Sequence, residues 1–169
     1  ITIHCEPDGL NINENCGSTH MADLMAAVVK HGADVGIAHD GDADRCLAVD
    51  ASGAFVDGDQ ILAILASGRK ARGELVGNTV VATVMSNLGF NIAMEALDIE
   101  VIAAAVGDRY VLEEMRAGGF TLGGEQSGHV VMSEFAATGD GVLTALHLLS
   151  EMKRTGQSMA QLAALVNRL

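Results

Sequence analysis

Short apolar runs rich in β-branched residues alternate with longer amphipathic stretches along this chain. Clear runs lie at residues 34–38, 79–84 and 100–106, and beside them apolar residues recur every three or four positions. Such alternation is typical of helices packed on a mostly parallel sheet. The pattern therefore predicts an α/β fold.

The predicted elements form two groups. In the first we expect a strand at 1–5, a helix at 20–31 capped by Ser18 or Thr19, a strand at 34–38 and a hairpin of strands 46–50 and 54–56. In the second we expect a helix capped by Asp59 and running to residue 72, strands at 79–84, 100–106 and 120–123, and helices at 88–97, 110–117, 140–154 and 159–168. We place a domain boundary between residues 57 and 58.

Composition excludes several classes of protein. The 169 residues carry a formal net charge of -12, and only ten are Lys or Arg, so a nucleic-acid partner is not expected. No apolar run approaches the roughly 20 residues of a membrane span, so no membrane contact is expected either. Three cysteines without CxxC spacing indicate reduced thiols and a cytoplasmic location.

The two ends of the chain look interrupted. The sequence opens without methionine in the strand-like ITIHC and closes inside a helical pattern without a glycine or proline stop. We therefore expect a segment of a longer protein.

The motif HDGDADR, residues 39–45, follows the apolar run 34–38. Its aspartates, Asp40, Asp42 and Asp44, alternate in a tight loop, so all three can turn toward one divalent cation that offsets their repulsion. A carboxylate-only set favours Mg²⁺, Mn²⁺ or Ca²⁺ over zinc. An EF-hand is excluded because Arg45 and Ala51 stand where its glycine and glutamate are needed.

Two other interpretations of this loop remain open. The aspartates could cap backbone amides in a solvated turn, with Arg45 neutralising one of them. Alternatively, the first aspartate could be a phosphatase nucleophile, although Ala43 and Asp44 stand where that motif has Thr or Val. If a metal binds, Arg45 is placed to bind a phosphate held by the same ion.

A second constellation, GGEQSGHV at residues 123–130, follows another predicted strand. Glu125, Ser127 and His129 alternate there, and a carboxylate, a hydroxyl and an imidazole can bind neighbouring sugar hydroxyls, with His129 also able to move a proton or hold a phosphate. A glycine-rich turn without function is an equal alternative. A hydrolase elbow is disfavoured because Ser127 lies one place late for G-x-S-x-G.

Two shorter motifs carry weaker signals. GDRY, residues 107–110, could direct Arg109 to a phosphate, although Asp108 has the position of a helix N-cap. TGDG, residues 138–141, is most simply a helix start.

Together these motifs resemble those of the α-D-phosphohexomutases. DGDADR at 40–45 and GEQSGH at 124–129 are similar to that family's metal and sugar loops. Four further motifs narrow the resemblance to members that act on glucosamine phosphates. They are GLNINENCGSTH at 9–20, VDGDQI at 56–61, VGDRYVLE at 106–113 and TGDG at 138–141. The resemblance implies two consecutive phosphoglucomutase-type α/β/α domains, the first incomplete, with mixed, mostly parallel sheets and helices on both faces.

The activity that the resemblance implies is an isomerisation. Family members interconvert the 6-phosphate and 1-phosphate of a hexose, here glucosamine, with Mg²⁺, a phosphoserine and a glucosamine 1,6-bisphosphate intermediate, and so supply amino-sugar nucleotides for peptidoglycan precursors. The implied partners are the phosphosugar substrate, the remaining domains of the parent chain and a second copy in a homodimer. A phosphomannomutase or phosphoglucomutase, and a non-catalytic metal-binding domain, remain the alternatives.

The resemblance also assigns residues. It implies that three aspartates bind the metal, that two residues are catalytic and that five bind substrate. The metal ligands are Asp40, Asp42 and Asp44; the catalytic residues are Arg45 and His129; the substrate-binding residues are Arg45, Arg109, Glu125, Ser127 and His129.

One part of the family's machinery is not found in this sequence. The nucleophilic serine belongs to a Ser-His-Asn type motif that does not occur here, and Ser18 in GSTH is better explained as a helix cap. The phosphate-clamp loop of the fourth domain is missing as well. We therefore expect this chain alone to be inactive.

Overall fold

The computed structural model describes residues 1–169 as two sheets with helices packed between and around them. In chain order the elements are α1 (Ala22–His31), β1 (Val35–Ala38), β2 (Leu47–Asp50), β3 (Phe55–Val56), α2 (Gly58–Ala71), β4 (Thr79–Thr83), α3 (Leu88–Ala96), β5 (Glu100–Ala104), α4 (Asp108–Gly118), β6 (Leu122–Gly124), β7 (Val130–Met132), α5 (Gly141–Thr155) and α6 (Met159–Ala163). None of these helices combines the length and the apolar character that a membrane crossing requires.

The two sheets differ in strand direction. The first has the order β1-β2-β3 and is antiparallel throughout. The second has the order β5-β4-β6-β7, in which β5, β4 and β6 run parallel and β7 returns antiparallel to β6. The carboxyl ends of three parallel strands therefore meet at one edge of the second sheet.

Helix α2 lies at the centre of the core. Eleven of its fourteen residues are buried, and it packs against β2 of the first sheet and β6 of the second. Residues 61–66, in the middle of the helix, are apolar on every face, and a helical segment of this kind must be buried. Its start is fixed by a capping box, in which Asp57 accepts from the Gln60 amide and the Gln60 side chain accepts from the Asp57 amide.

Helices cover both faces of the second sheet. Val80 and Ala82 of β4 belong to the large cluster that includes residues of α2 and α3. Val81, between them, points to the opposite face and packs with Val111 and Met115 of α4. This alternation matches the period of a strand.

Residues 1–5 do not form the predicted strand. The structure leaves them exposed and without regular secondary structure, and no backbone hydrogen bond joins them to a neighbouring strand. A strand is stabilised by hydrogen bonds to a neighbouring strand. The β-branched residues of this segment therefore do not form a strand without such a neighbour.

The caps predicted for α1 and α2 are also wrong. Helix α1 follows Met21, which makes no side-chain cap, and Ser18 lies in a separate 3₁₀ turn, Gly17–Thr19, whose geometry is fixed by the bond from the Ser18 amide to the His39 carbonyl. Helix α2 is capped by Asp57, two residues before the predicted Asp59. Asp59 lies inside the first turn, where it is fully buried.

The predicted hairpin of strands 46–50 and 54–56 is confirmed, since β2 and β3 pair antiparallel, and β1 joins the same sheet antiparallel to β2. The remaining differences concern strand and helix length. Strand β7 was not predicted, and α6 ends at Ala163, before the predicted residue 168. There the chain leaves the helix so that Arg168 can reach Asp57, at 2.8 Å.

The burial of α2 leads to a test of the core. Leu65, in α2, is 2% exposed, whereas Leu146, in α5, is 60% exposed. We expect Leu65→Ala to lower the free energy of unfolding by about 2–5 kcal/mol and Leu146→Ala to change it by less than about 0.5 kcal/mol. Urea unfolding of both variants measures the difference, and equal losses would show that α2 is not the centre of the core.

Candidate functional site

The three aspartates of HDGDADR converge in the loop between β1 and β2. One carboxylate oxygen from each of Asp40, Asp42 and Asp44 lies within 4.8 Å of the others. Ala43 turns the loop through a positive φ of 58°, a conformation that non-glycine residues adopt rarely. The predicted convergence of these side chains is therefore present in the structure.

The electrostatics of this cluster favour a bound cation. Burial, followed by repulsion from Asp40, raises the pKa of the Asp44 carboxyl above its ordinary value. The Asp44 Oδ1 atom is buried and has no hydrogen-bond partner. Arg45 Nε lies 3.5 Å from Asp40 and 3.9 Å from Asp44, so its single positive charge offsets only part of the negative charge of the three carboxylates. The residues present thus fit a hard divalent ion held by oxygen ligands.

The metal loop, residues 39–45, is closed by two hydrogen bonds that the sequence analysis did not identify. His39 Nδ1 lies 2.8 Å from the Arg45 carbonyl oxygen and donates to it, since a carbonyl can only accept. The Arg45 amide donates to Asp40 Oδ1 at 3.2 Å. His39 is the first residue of the HDGDADR motif, and the hydrogen bond of its ring joins it to Arg45, the last residue of the same motif.

The second constellation forms a tight turn between β6 and β7. The Glu125 amide donates to the His129 carbonyl at 2.9 Å, and the Gly128 amide donates to the Glu125 carbonyl at 3.0 Å. Ser127 is exposed at the tip. The Glu125 carboxylate accepts from the Gly107 amide at 3.0 Å, which ties this sugar loop, residues 124–129, to the GDRY motif after β5.

Backbone hydrogen bonds join the sugar loop to the metal loop. The Cys46 amide, directly after the metal loop, donates to the Gly128 carbonyl at 2.9 Å, and Arg45 and His129 form an antiparallel bridge. Because backbone bonds do not depend on side-chain rotamers, they fix the separation of the two loops.

Two glycines make this approach sterically feasible. A Cβ atom on Gly58 would lie 2.2 Å from the Glu125 carbonyl oxygen, and one on Gly128 would lie 2.5 Å from the Cys46 carbonyl oxygen. The Gly58 amide also donates to the Gln126 carbonyl at 3.0 Å. The start of α2 is therefore packed directly on the sugar loop.

His129 lies against the metal loop and is only 3% exposed. Its Nε2 atom is 3.5 Å from Asp44 Oδ2, and neither ring nitrogen has a hydrogen-bond partner. A Cβ atom on Gly139 would lie 2.4 Å from that Nε2 atom. His129 is thus enclosed between the metal loop and TGDG, while Glu125 and Ser127 lie on the more open part of the turn.

TGDG starts a helix, as predicted, and that helix supports the metal loop. Asp140 caps α5 by accepting from the Leu143 amide. The Gly141 amide donates to the Ala43 carbonyl at 2.9 Å. Any larger residue at position 141 would collide with the Arg45 carbonyl.

Arg109 lies apart from the two loops. It is in the first turn of α4, its side chain is 78% exposed, and it pairs with Glu113 at 2.8 Å. Asp108 does not cap α4 as predicted, because Gly107 is the residue before the helix and no side chain caps it. The role of Arg109 in phosphate binding stays a prediction.

Comparison with known families places most of the chain in one family. The model for phosphoglucomutase/phosphomannomutase, alpha/beta/alpha domain III, matches residues 57–169, and the model for domain II of the same proteins matches residues 1–53. The matches confirm the predicted fold class.

Curated relatives match the chain from end to end. The chain is 63% identical to the phosphoglucosamine mutase of Rhodococcus jostii (strain RHA1) and 68% identical to that of Nocardioides sp. (strain ATCC BAA-499 / JS614), over 169 residues in each case. It spans 38% of the length of each of these relatives.

Solved structures share the fold. A phosphoglucomutase/phosphomannomutase family protein from Burkholderia thailandensis matches 90% of this chain with a TM-score of 0.79 at 27% identity, over 34% of its own length. The Aspergillus fumigatus N-acetylphosphoglucosamine mutase, solved in complex with GlcNAc-6P and magnesium, matches 93% of this chain with a TM-score of 0.70 at 22% identity, over 38% of its own length.

The carboxylate cluster predicts metal-dependent stability. Mg²⁺ at about a hundred times its dissociation constant should stabilise the chain by about 2.7 kcal/mol, because it binds only the assembled loop. Asp42→Asn should abolish this increase in Tm, whereas Asp34→Asn, at an exposed carboxylate outside the loop, should retain it. Calorimetry with and without Mg²⁺ measures both, and an unchanged shift in Asp42→Asn would refute the metal assignment.

Proposed function

The chain belongs to the phosphoglucomutase/phosphomannomutase family, and we propose that it is the central part of a mutase that interconverts glucosamine 6-phosphate and glucosamine 1-phosphate. The observation that supports this most strongly is the backbone connection between the metal loop and the sugar loop. It brings a cation site and a set of sugar-binding groups into one site, as phosphoryl transfer to a sugar hydroxyl requires. The identity of 63–68% to named phosphoglucosamine mutases supports the choice of sugar.

We assign the metal to Asp40, Asp42 and Asp44. A magnesium ion bound there would neutralise charge on the transferring phosphoryl group. Arg45 adds a guanidinium at the same edge, where its 43% exposed side chain can reach a phosphate. The oxygen-only ligand set and the raised pKa of Asp44, caused first by burial, support this assignment.

We assign sugar recognition to the sugar loop. Glu125 accepts from one backbone amide and keeps a second carboxylate oxygen for a hydroxyl of the substrate. Ser127, exposed at the tip, can donate to a neighbouring hydroxyl. His129 is buried beside Asp44, so its proposed catalytic role is to hold that carboxylate in place and to accept or donate a proton at Nε2.

The proposed reaction has two balanced transfers. First, the sugar 1-hydroxyl attacks the phosphorus of a phosphoserine; the new O1–P bond replaces the Ser Oγ–P bond, the hydroxyl proton passes through a base to Ser Oγ, and glucosamine 1,6-bisphosphate results. After the sugar reorients, the serine Oγ attacks the 6-phosphoryl group; the new Oγ–P bond replaces the O6–P bond, the serine proton passes to O6, and glucosamine 1-phosphate is released. Charge neutralisation and alignment account for most of the catalysis of such transfers.

The phosphoserine is proposed to lie outside these residues. Ser18 does not cap a helix, and its amide donates a hydrogen bond to the carbonyl of His39, the first residue of the metal loop. It nevertheless lacks the Ser-His-Asn type motif of the family's nucleophile. We also propose that the parent protein contains further domains, forms a homodimer, is cytoplasmic and serves peptidoglycan precursor synthesis. Within this chain we propose a domain boundary between residues 57 and 58.

The choice of substrate can be tested with the complete parent protein. We expect its kcat/KM for glucosamine 6-phosphate to exceed the values for glucose 6-phosphate and mannose 6-phosphate, all followed by ³¹P NMR. A preference for one of the other two sugars would favour a phosphoglucomutase or phosphomannomutase. No turnover of any sugar, together with a retained Mg²⁺ effect on Tm, would favour a non-catalytic metal-binding domain.

The role of Glu125 leads to a second prediction. Glu125→Gln keeps the shape of the side chain but removes its charge, and a hydrogen bond to a charged group contributes about 1.5–3 kcal/mol. We therefore expect kcat/KM of the complete protein to fall about ten- to a hundredfold. Glu114→Gln, at an exposed position in α4, is the matched control. Equal kcat/KM values for the two variants would contradict the assignment of Glu125 to the sugar site.

A further inference from the structure

Four large apolar side chains are exposed at the same edge of the second sheet as Glu125. Val84 and Met85 follow β4, Val106 follows β5, and Tyr110 lies in the first turn of α4. They are 66%, 64%, 55% and 45% exposed, respectively. We call these four residues the apolar rim. Large apolar side chains exposed together at one edge of a sheet mark contact surfaces more often than single exposed apolar residues do.

The topology places the apolar rim beside the sugar loop. Strand β4 lies between β5 and β6, with Thr83 opposite Ala104 and Ala82 opposite Gly124. The residues after these strands therefore emerge side by side. The bond from the Gly107 amide to Glu125 also joins the turn after β5 to the sugar loop, across the end of β4.

Tyr110 is connected to Glu125 through Gly107. A Cβ atom on Gly107 would lie 3.5 Å from Tyr110 Cδ2, so the ring packs against the glycine whose amide binds the Glu125 carboxylate. The Tyr110 amide donates to the Gly107 carbonyl at 3.0 Å. The Tyr110 ring and the Glu125 carboxylate therefore both lie next to Gly107.

The backbone of the apolar rim is held rigidly although its side chains are exposed. The Val84 amide donates to the Ala104 carbonyl at 2.9 Å, and the Ser86 amide donates to the Thr83 carbonyl at 3.0 Å. These bonds order the backbone on either side of Met85.

A buried carboxylate adds to this rigidity. Asp59, in the first turn of α2, is fully buried, and its Oδ2 atom accepts from the Asn87 amide at 2.7 Å. Burying a carboxylate lowers stability unless its bonds compensate. Asp59 uses this bond to hold the loop after β4, while Gly58 beside it contacts the sugar loop.

We propose that the apolar rim is the wall on which the hexose ring of the substrate packs its C–H face, while Glu125 and Ser127 bind its hydroxyls. Hexoses carry hydroxyls at their edges and C–H groups on their faces, and ligand sites combine apolar walls with a few polar groups that set orientation. The inference rests on the proposed function, because it specifies how that site binds the sugar ring. It adds Met85 and Tyr110 as binding residues.

The test uses the complete parent protein and glucosamine 6-phosphate. Met85→Gln keeps the length of the side chain but makes it polar, and Tyr110→Ala removes the ring. We expect each to raise KM about five- to tenfold with kcat within about twofold, since apolar packing binds ground state and transition state alike. Tyr110→Phe, which keeps the ring, should raise KM less than Tyr110→Ala. Leu146→Gln, at an exposed leucine of α5, is the matched control and should match the wild type.

Each other outcome overturns the inference in a distinguishable way. An active wild type with unchanged KM in Met85→Gln and Tyr110→Ala would refute the apolar wall and leave the proposed function intact. A fall in Tm and kcat without a change in KM would show that another domain covers the rim. Equal KM increases in Tyr110→Phe and Tyr110→Ala would assign the contact to the hydroxyl. An inactive wild type would refute the proposed function itself.

Discussion

The hydrogen bond from the Cys46 amide to the Gly128 carbonyl is the contact on which the site depends. It ties the end of the metal loop to the sugar loop, and the bridge between Arg45 and His129 extends it. Because the two loops belong to different sheets, nothing in either sheet alone would set their separation. Helix α2 also supports this connection. Its first residue, Gly58, contacts the sugar loop, and Ile61 and Leu62 in the next turn anchor the helix because they are completely buried.

This arrangement also explains why the chain tolerates three neighbouring carboxylates. Burial, and then repulsion from Asp40, raises the pKa of Asp44, and the same repulsion lowers the stability of the loop without a cation. The loop keeps its shape because His39, Gly141 and Cys46 hold its backbone from three directions. Stability elsewhere, above all in the core around α2, therefore supports a strained and charged site, which is a common relation between fold and function.

Local chemistry was readable from the sequence, whereas contacts between distant segments were not. HDGDADR predicts a cluster of carboxylates because its alternation needs only the loop itself, and the clustering is present. Strand periodicity and helix signals likewise predicted the α/β class and most elements of the second sheet. The burial of His129 against Asp44 and the support from Gly141 could not be predicted, because they join residues far apart in the chain. Asp59 was predicted to be a helix cap for the same reason, because only the fold shows that its carboxylate accepts a hydrogen bond from the Asn87 amide.

We propose that this chain assembles the metal and sugar sites without the phosphoryl donor. A ³¹P NMR series on residues 1–169 with Mg²⁺, glucosamine 6-phosphate and a trace of glucosamine 1,6-bisphosphate tests this directly. We expect the substrate signal to broaden through binding and no 1-phosphate signal to appear. A 1-phosphate signal would place a nucleophile within these residues, and an unaffected substrate line would show that the two loops do not form a binding site in this chain.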